Sequence, residues 1–324
     1  MKEIVISILS VILLALFFYS CSFNTSLMVE RPAKLTLPKK VKKVLVVDRT
    51  LTGKRNYQKM IEAGGFMEVK GLSKTTLFTY LLAEIGSNDR LETAHPAVLT
   101  FVELRKWGES KKDLSPYVVD SLCETHGADA IIALERYTNY STSLGDDIFN
   151  RMREVRAEWK FYDTHSGNVV NHHDYYNNTA SINNRNDYHT VPLKFNRNKT
   201  LSAITAIDYI RHIAPHKVQE KRRIFKADNK SMKMAEHYFD AKDYTSAREI
   251  YESCLENDDI DRKVSGRLYY NIAVTHEVEG NKDEALKFAE FSKERGCSRA
   301  TSYVVNLRNQ ISNESIIDLQ KEGN

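Results

Sequence analysis

Few residues of this chain stand at spacings that catalysis uses. His276-Glu277-Val278-Glu279-Gly280 opens like a zinc-protease helix, where two histidines four apart bind metal and the glutamate between them activates water. Gly280 stands where the second histidine is needed, so the stretch reads instead as the end of a helix. Thr52-Gly53-Lys54-Arg55 lacks both the first glycine and the hydroxyl residue after lysine that a phosphate-cradling loop requires. His165, His172, His173 and His189 invite a metal, but His172 and His173 are adjacent and on a strand point to opposite faces. Asp48 and Glu135, each closing an apolar run, mark where an enzyme site at strand ends would lie. No nucleophile, base or metal set converges, so the expectation is a non-enzymatic protein with no cofactor and no metal.

Cys21 carries a chemical expectation of its own. Met1-Lys2-Glu3 precedes an apolar run from Ile4 to Phe18 and then Tyr19-Ser20-Cys21-Ser22. The run is shorter than the roughly 20 residues that span a bilayer core and suits a secretory signal. Ser20-Cys21 resembles a bacterial lipobox, which implies cleavage of a 1–20 signal peptide and lipidation of Cys21, although Phe18 and Tyr19 are bulkier than the lipobox pattern. A signal cleaved elsewhere and an uncleaved anchor are the alternatives. Residues 21–40, polar and holding Pro32 and Pro38, read as a tether. Cys123, Cys254 and Cys297 form no metal-ligand spacing; Cys123 reads as a core residue, and a Cys254–Cys297 disulfide is conceivable in an oxidising compartment. A formal net charge of +4 over 324 residues argues against nucleic acid as a partner.

The elements around these residues divide the chain. Residues 41–226 read as a mixed α/β sheet domain. Lys42–Asp48 is a buried strand, a helix runs from Ser73 to Gly86, and Ser115-Pro116 opens a second helix that Gly127 ends. Ala128–Glu135 follows as a strand, which makes a partly parallel sheet from this βαβ-like order. Val155, Ala157, Trp159 and Phe161 alternate with polar residues, and the turn formers Asp163–Asn168 predict a hairpin returning from Val169 to Tyr176. Asn177–Asn198 reads as a polar loop, and Leu201–Ile210 as a helix stopping before Pro215. His216–Arg223 reads as a basic connecting helix, and Lys221, Arg222, Arg223, Lys226 and Lys230 as its solvated face, with contact to anionic lipid head groups as the alternative.

Residues 227–310 read as an all-α repeat domain, and 311–324 as a polar tail that frays. Asp243–Glu252 is echoed by Asn281–Glu290, and Ala235 with Ala247 by Ala273 with Ala285, at a period of 38. The segment 228–295 resembles tetratricopeptide repeats at Ala235, Tyr238, Tyr244, Ala247 and Tyr251, then Ala273, Gly280, Ala285 and Leu286; Ala289 and Arg267-Leu268-Tyr269 depart from that pattern. By helical spacing, Met232, Glu236 and Phe239 face a groove on the first inner helix, and Tyr270, Asn271 and Glu277 on the second. Their chemistry suits an extended peptide or a helix. With Lys43–Arg49, Ile213-Ala214-Pro215-His216 and Arg222-Arg223, the whole chain resembles an uncharacterised family of Bacteroidetes-type lipoproteins carrying an α/β domain and such repeats. The resemblance implies a cell-envelope protein lipid-anchored at Cys21, at the outer membrane, acting as an adaptor for a protein or peptide partner in the periplasm or at the cell surface. The alternative is a glycan- or solute-binding lipoprotein using Tyr175, Tyr176 and Tyr188.

Overall fold

The computed structural model describes residues 22–50, 72–100, 112–143, 151–164, 169–178, 197–226, 230–257 and 259–322. The signal peptide, Cys21, the Thr52–Arg55 motif, His165, His189 and Tyr188 lie outside them. The described chain forms an α/β unit from Glu30–Lys217 joined by the last residues from Ser315, and a helical unit that joins Val218–Glu314 to the N-terminal residues up to Val29.

In the α/β unit, β2 (Lys43–Asp48) is the hub of the sheet. On one edge it pairs in parallel with β3 (Glu92–Thr93) and β4 (Leu99–Thr100), and on the other with β5 (Ala130–Ser143). β5 continues antiparallel to β6 (Arg151–Asp163), and β6 to β7 (Val169–Asn178), so the sheet is mixed. The turn formers after Asp163 do join two paired strands. α1 (Leu72–Gly86) and α3 (Arg197–Ile213) cover one sheet face, where Leu81, Ile85, Tyr209 and Ile210 pack on Val46, Ile132 and Trp159. Tyr209 stacks on Trp159 with ring centroids 4.8 Å apart. α2 (Pro116–His126) covers the other face, with Val119 and Cys123 against Leu45, Ile131 and Tyr162. With both faces covered, the apolar runs of β2 and β5 need no alternation. Ser115 caps α2 by accepting from the Val118 N–H, and Gly127 ends it in the left-handed region at φ 59°. Burial pushes the Cys123 thiol up to about 12, so it is an unreactive core residue.

The helical unit stacks the hairpins α4 (Lys230–Asp240)–α5 (Tyr244–Leu255) and α6 (Arg262–Val278)–α7 (Lys282–Glu294), then α8, which runs from Ala300 to Glu322. Ala235, Ala247, Ala273 and Ala285 are all fully buried, as close helix approach requires. The period of 38 extends to the backbone: Lys242 and Gly280 end the two inner helices, both left-handed, at φ 63° and 86°. Asp243 then caps α5 through the Ser246 N–H. Cys254 and Cys297 are free thiols.

Three expected segments are different. The 21–40 stretch is no tether beyond Cys21: Ser22–Arg31 is strand β1, paired with β8 (His216–Phe225). β8 replaces the expected basic helix. Its alternation of exposed Lys217, Gln219, Lys221 and Arg223 with buried Val218, Arg222 and Ile224 has period two, which only a strand can satisfy. The tail does not fray before Glu322, because Ile317 and Gln320 are buried and Gln320 hydrogen-bonds the Ala33 N–H at 2.8 Å and carbonyl at 3.0 Å.

Two predictions follow from these elements. Lys242→Gly should stabilise the helical unit by a fraction of about 1 kcal/mol, and Gly280→Ala should destabilise it by about 1–2 kcal/mol, since only the latter forces a new Cβ into a left-handed residue. Urea midpoints followed by circular dichroism check both signs. In the α/β unit, His212 and His216 are each lowered from 6.5 to about 4. Burial is the main cause, reinforced at His212 by His173 and Lys34 and at His216 by Arg211. Above the unfolded value neither state binds a proton. Between that value and about 4 only the unfolded chain does, so stability falls as pH drops through this window. Urea midpoints read by Trp fluorescence at a series of pH values should show this slope, and His212→Gln should flatten it.

Candidate functional site

Two places gather ionisable side chains. In the α/β unit, the carboxyl end of β2 lies beside the middle of β5 and brings Asp48, Arg49 and Glu135 together, near the sheet edge where ligands bind in open α/β sheets. Asp48 lies 2.5 Å from the Lys74 ammonium, and its other oxygen accepts from the Thr50 N–H at 2.9 Å. Arg49 lies 2.5 Å from Glu135 and donates to the Lys112 carbonyl at 2.9 Å, while the Tyr162 hydroxyl donates to Glu135 at 3.2 Å. All four charged groups are buried, and each carboxylate has a cation. The cluster neutralises itself and closes the end of the sheet. Its chemistry is that of an ion network, which buried charge demands.

His172 and His173 do point apart. His172 lies 3.0 Å from Glu158, with Asp174 near enough for a shared ion, but the three are partly or fully exposed and Arg136 also reaches Glu158 at 3.6 Å. His173 instead stacks on His212, at 4.2 Å between centroids. Tyr175, a candidate for sugar stacking, is half-buried and donates to the Asp208 carbonyl at 2.7 Å, so its hydroxyl anchors α3.

The second place is the inner-helix face of the helical unit, where the expected groove lies. Met232, Phe239, Tyr270, Asn271 and Glu277 are buried there and Glu236 is half-buried. Met232 and Phe239 pack into the helical core, Phe239 against Tyr244 at 5.0 Å. The other four meet one occupant, the end of β8. Asn271 accepts from the Phe225 N–H and donates to the Phe225 carbonyl, each at 2.9 Å, and so reads both backbone groups of one residue. Tyr270 meets the Phe225 ring edge-on at 5.3 Å, and Glu236 pairs with Lys226 at 3.6 Å. Glu277 takes Arg222 in a two-pronged ion pair, at 2.8 Å from Nε and 2.7 Å from Nη2. The groove is therefore not open at these residues: the chain seats its own strand in it.

Glu277 also accepts from the Tyr303 hydroxyl at 2.8 Å and from Gln310 at 2.9 Å. Glu220 holds Arg222 from the other side at 2.8 Å. Burial favours the neutral guanidine, but the Glu277 hydrogen bonds and charge, with Glu220, outweigh it and raise the Arg222 pKa above its ordinary value. Phe225, Tyr303 and Gln310 had no functional reading in the sequence, and Arg222 was read only within the basic run; the period-two alternation of Val218 to Ile224 was the available signal. Beside the seated strand opens a cleft of about 540 Å³, whose lining includes Lys221, Arg223, Tyr270, Arg299, Ser302 and Tyr303.

A mixed sheet flanked by helices on both faces, and a separate stack of helical hairpins holding a strand, define a two-unit α/β and all-α protein. The chain belongs to the family described as Domain of unknown function (DUF8603), whose model matches residues 41–225. A second family, Domain of unknown function (DUF6340), matches residues 233–312. No curated protein matches the chain. Among solved structures, it is similar to a PelC dodecamer from Paraburkholderia phytofirmans, at 11% identity and TM-score 0.29 over 59% of this chain and 96% of that one. It is also similar to the hypothetical protein CT253 from Chlamydia trachomatis, at 12% identity and TM-score 0.28 over 53% and 93%. A third similar structure is the lipoprotein GNA1162 from Neisseria meningitidis, at 15% identity and TM-score 0.18 over 45% and 87%. None of these likenesses bears on function.

Removing Glu277 leaves the buried Arg222 guanidinium to Glu220 alone and takes an acceptor from Tyr303 and Gln310. Glu277→Ala should cost the helical unit about 3 kcal/mol, the low end for a broken buried pair, and adding Arg222→Met should recover part of that loss, because the charge left short of a partner is then gone. Denaturant midpoints of the single and double variants decide it. A double variant no more stable than Glu277→Ala would show that the stranded charge is not the cause.

Proposed function

We propose that this chain is a cell-envelope lipoprotein, anchored through Cys21 at the outer membrane, whose tetratricopeptide-like helical unit serves as a non-enzymatic adaptor for a protein partner. The observation that carries the adaptor reading is the backbone clamp of Asn271 on Phe225. A side-chain amide that satisfies both main-chain groups of one residue selects an extended conformation whatever the sequence. The Glu277 carboxylate, three residues or about 10 Å of strand away at about 3.3 Å per residue, adds a charge requirement that Arg222 meets within the chain. A partner presenting an extended segment with arginine three residues before an aromatic would offer the same groups. It would take the seat in exchange with β8.

The lipobox-like Ser20-Cys21 supports the anchor. Metabolic labelling with radioactive palmitate should mark the wild-type chain and leave Cys21→Ala unmarked; equal labelling of both would remove the anchor from the reading. For the seat, the probe is a fluorescent synthetic peptide of residues 218–226 titrated into the full chain. Phe225→Ala, which loosens the chain's own strand, should raise peptide affinity about tenfold or more, a shift equivalent to about 1.4 kcal/mol. If neither the parent nor Phe225→Ala binds the peptide saturably, the seat does not exchange and the adaptor reading fails.

A further inference from the structure

The cleft beside the seated strand gathers cations that, among the described residues, no carboxylate lining it matches. Four of its lining residues are basic, Lys221, Arg222, Arg223 and Arg299, and none is acidic. Glu277 and Glu220 both lie against Arg222 and account for that guanidinium. For the side chains of Lys221, Arg223 and Arg299 there is no carboxylate partner among the described residues. Arg299 is the most telling. Its Nη1 is buried and has no hydrogen-bond partner among the described residues. The guanidinium carbon lies over the Phe225 ring, 4.2 Å from its centroid.

A buried guanidinium donor without an acceptor is costly, and in native structures such groups mark a missing ion, water or ligand. The surroundings fit an anion. Arg299 immediately precedes α8, and Ser302 and Tyr303 of the first turn of that helix line the same cleft. The Ala300 and Tyr303 N–H groups of that turn already donate to the Cys297 and Arg299 carbonyls at 3.0 and 3.3 Å, which leaves Thr301 and Ser302 as its N–H donors toward negative charge. Tyr270 and Tyr303, buried behind the cleft, limit how far water competes. Tyr270 is raised to about 12, chiefly by burial and against the opposing pull of Arg222 and Arg299, so it stays a neutral hydroxyl beside any bound anion. Three cations converging with hydroxyl and helix-end donors suit a tetrahedral anion with several acceptor oxygens better than a planar carboxylate.

We propose that this cleft is a phosphate-binding site, with Arg299 as its central ligand-contacting group and Lys221 and Arg223 as flanking cations. The phosphoryl group belongs either to a soluble phosphate or to a phospholipid headgroup. The site exists while β8 is seated, since that strand supplies Lys221 and Arg223, and its ligand binding is measured on the parent chain whether or not the strand also exchanges.

The test is calorimetric titration of the full chain in non-ionic detergent with three probes: inorganic phosphate, dihexanoyl phosphatidylglycerol below its micelle concentration, and succinate. Saturable phosphate binding is expected, weakened about tenfold or more in Arg299→Gln and less in Arg299→Lys, as loss of a charge-assisted hydrogen bond implies. Because Arg299 also covers Phe225, Lys221→Ala with Arg223→Ala provides a second variant at exposed positions, and it should weaken phosphate binding with the unfolding midpoint unchanged. Phosphatidylglycerol binding that inorganic phosphate displaces identifies the headgroup as the source; phosphate binding without it identifies the soluble anion. Succinate binding as tightly as phosphate, no saturation by either phosphoryl probe, or equal affinity in the parent and both variants would overturn the proposal.

Discussion

A guanidinium taken out of water must be given a carboxylate, and the helical unit is arranged around that demand at Arg222. Glu277 and Glu220 supply it from two elements, and the Tyr303 hydroxyl and Gln310 use acceptor capacity on Glu277 that Arg222 leaves open. The pair thereby ties β8 to α6 and α8 at one point. Its net contribution to stability is modest, since desolvation offsets most of the attraction. What it contributes is register. A slip of β8 by one residue would carry Arg222 to the exposed face and place Lys221 or Arg223 against Glu277, and would also lift Phe225 off the Asn271 clamp. Two unlike requirements three residues apart, one for charge and one for a backbone pair, fix a strand more sharply than apolar burial alone.

The same rule separates the two ionic clusters of the protein. At the end of β2, beside the middle of β5, Asp48 is answered by Lys74 and Glu135 by Arg49, so each buried charge has its counter-charge within the fold. That cluster lies near the place where α/β sheets often hold ligands, yet its groups are engaged with each other. At the cleft of the helical unit the charges are not matched: four basic residues line it and, among the described residues, no acidic one does. Position in a fold family's favoured site is thus weaker evidence for a ligand than an uncompensated charge.

Most of the architecture could be read from local chemistry. The apolar runs of β2 and β5, the Ser115-Pro116 start and Gly127 stop of α2, and the turn formers after Asp163 each state a local rule that tertiary packing then respects. The period of 38 was visible in four alanines and reappears in Lys242 and Gly280, where the same left-handed residue is filled once by lysine and once by glycine. The inner-helix face was also legible, and Tyr270, Asn271, Glu236 and Glu277 do share it. What covers that face was not. β8 carries Lys or Arg at four of its ten positions, and although Val218 and Ile224, six apart, share a face only on a strand, Val218 and Arg222, four apart, also share one on a helix. Only the partner carboxylate distinguishes a buried arginine from a solvated one, and Glu277 lies 55 residues away in sequence. β1 was missed for the related reason that its polar residues face outward and its pairing partner is almost 200 residues distant, as the Gln219–Ser26 hydrogen bond across a separation of 193 shows.

Seating a strand from the same chain has a consequence for anything that would replace it. β8 reaches the helical face through a short connection from Phe225 to Lys230, so its effective concentration there is of the order of millimolar or higher. A partner segment with the same contacts competes at a disadvantage set by that concentration. It succeeds only by adding contacts that β8 lacks, or when β8 is withdrawn with its pairing strand β1. β1 begins at Ser22 and pairs with β8, so withdrawal of the seated strand also breaks or carries that pairing, a further cost that a competing segment must meet.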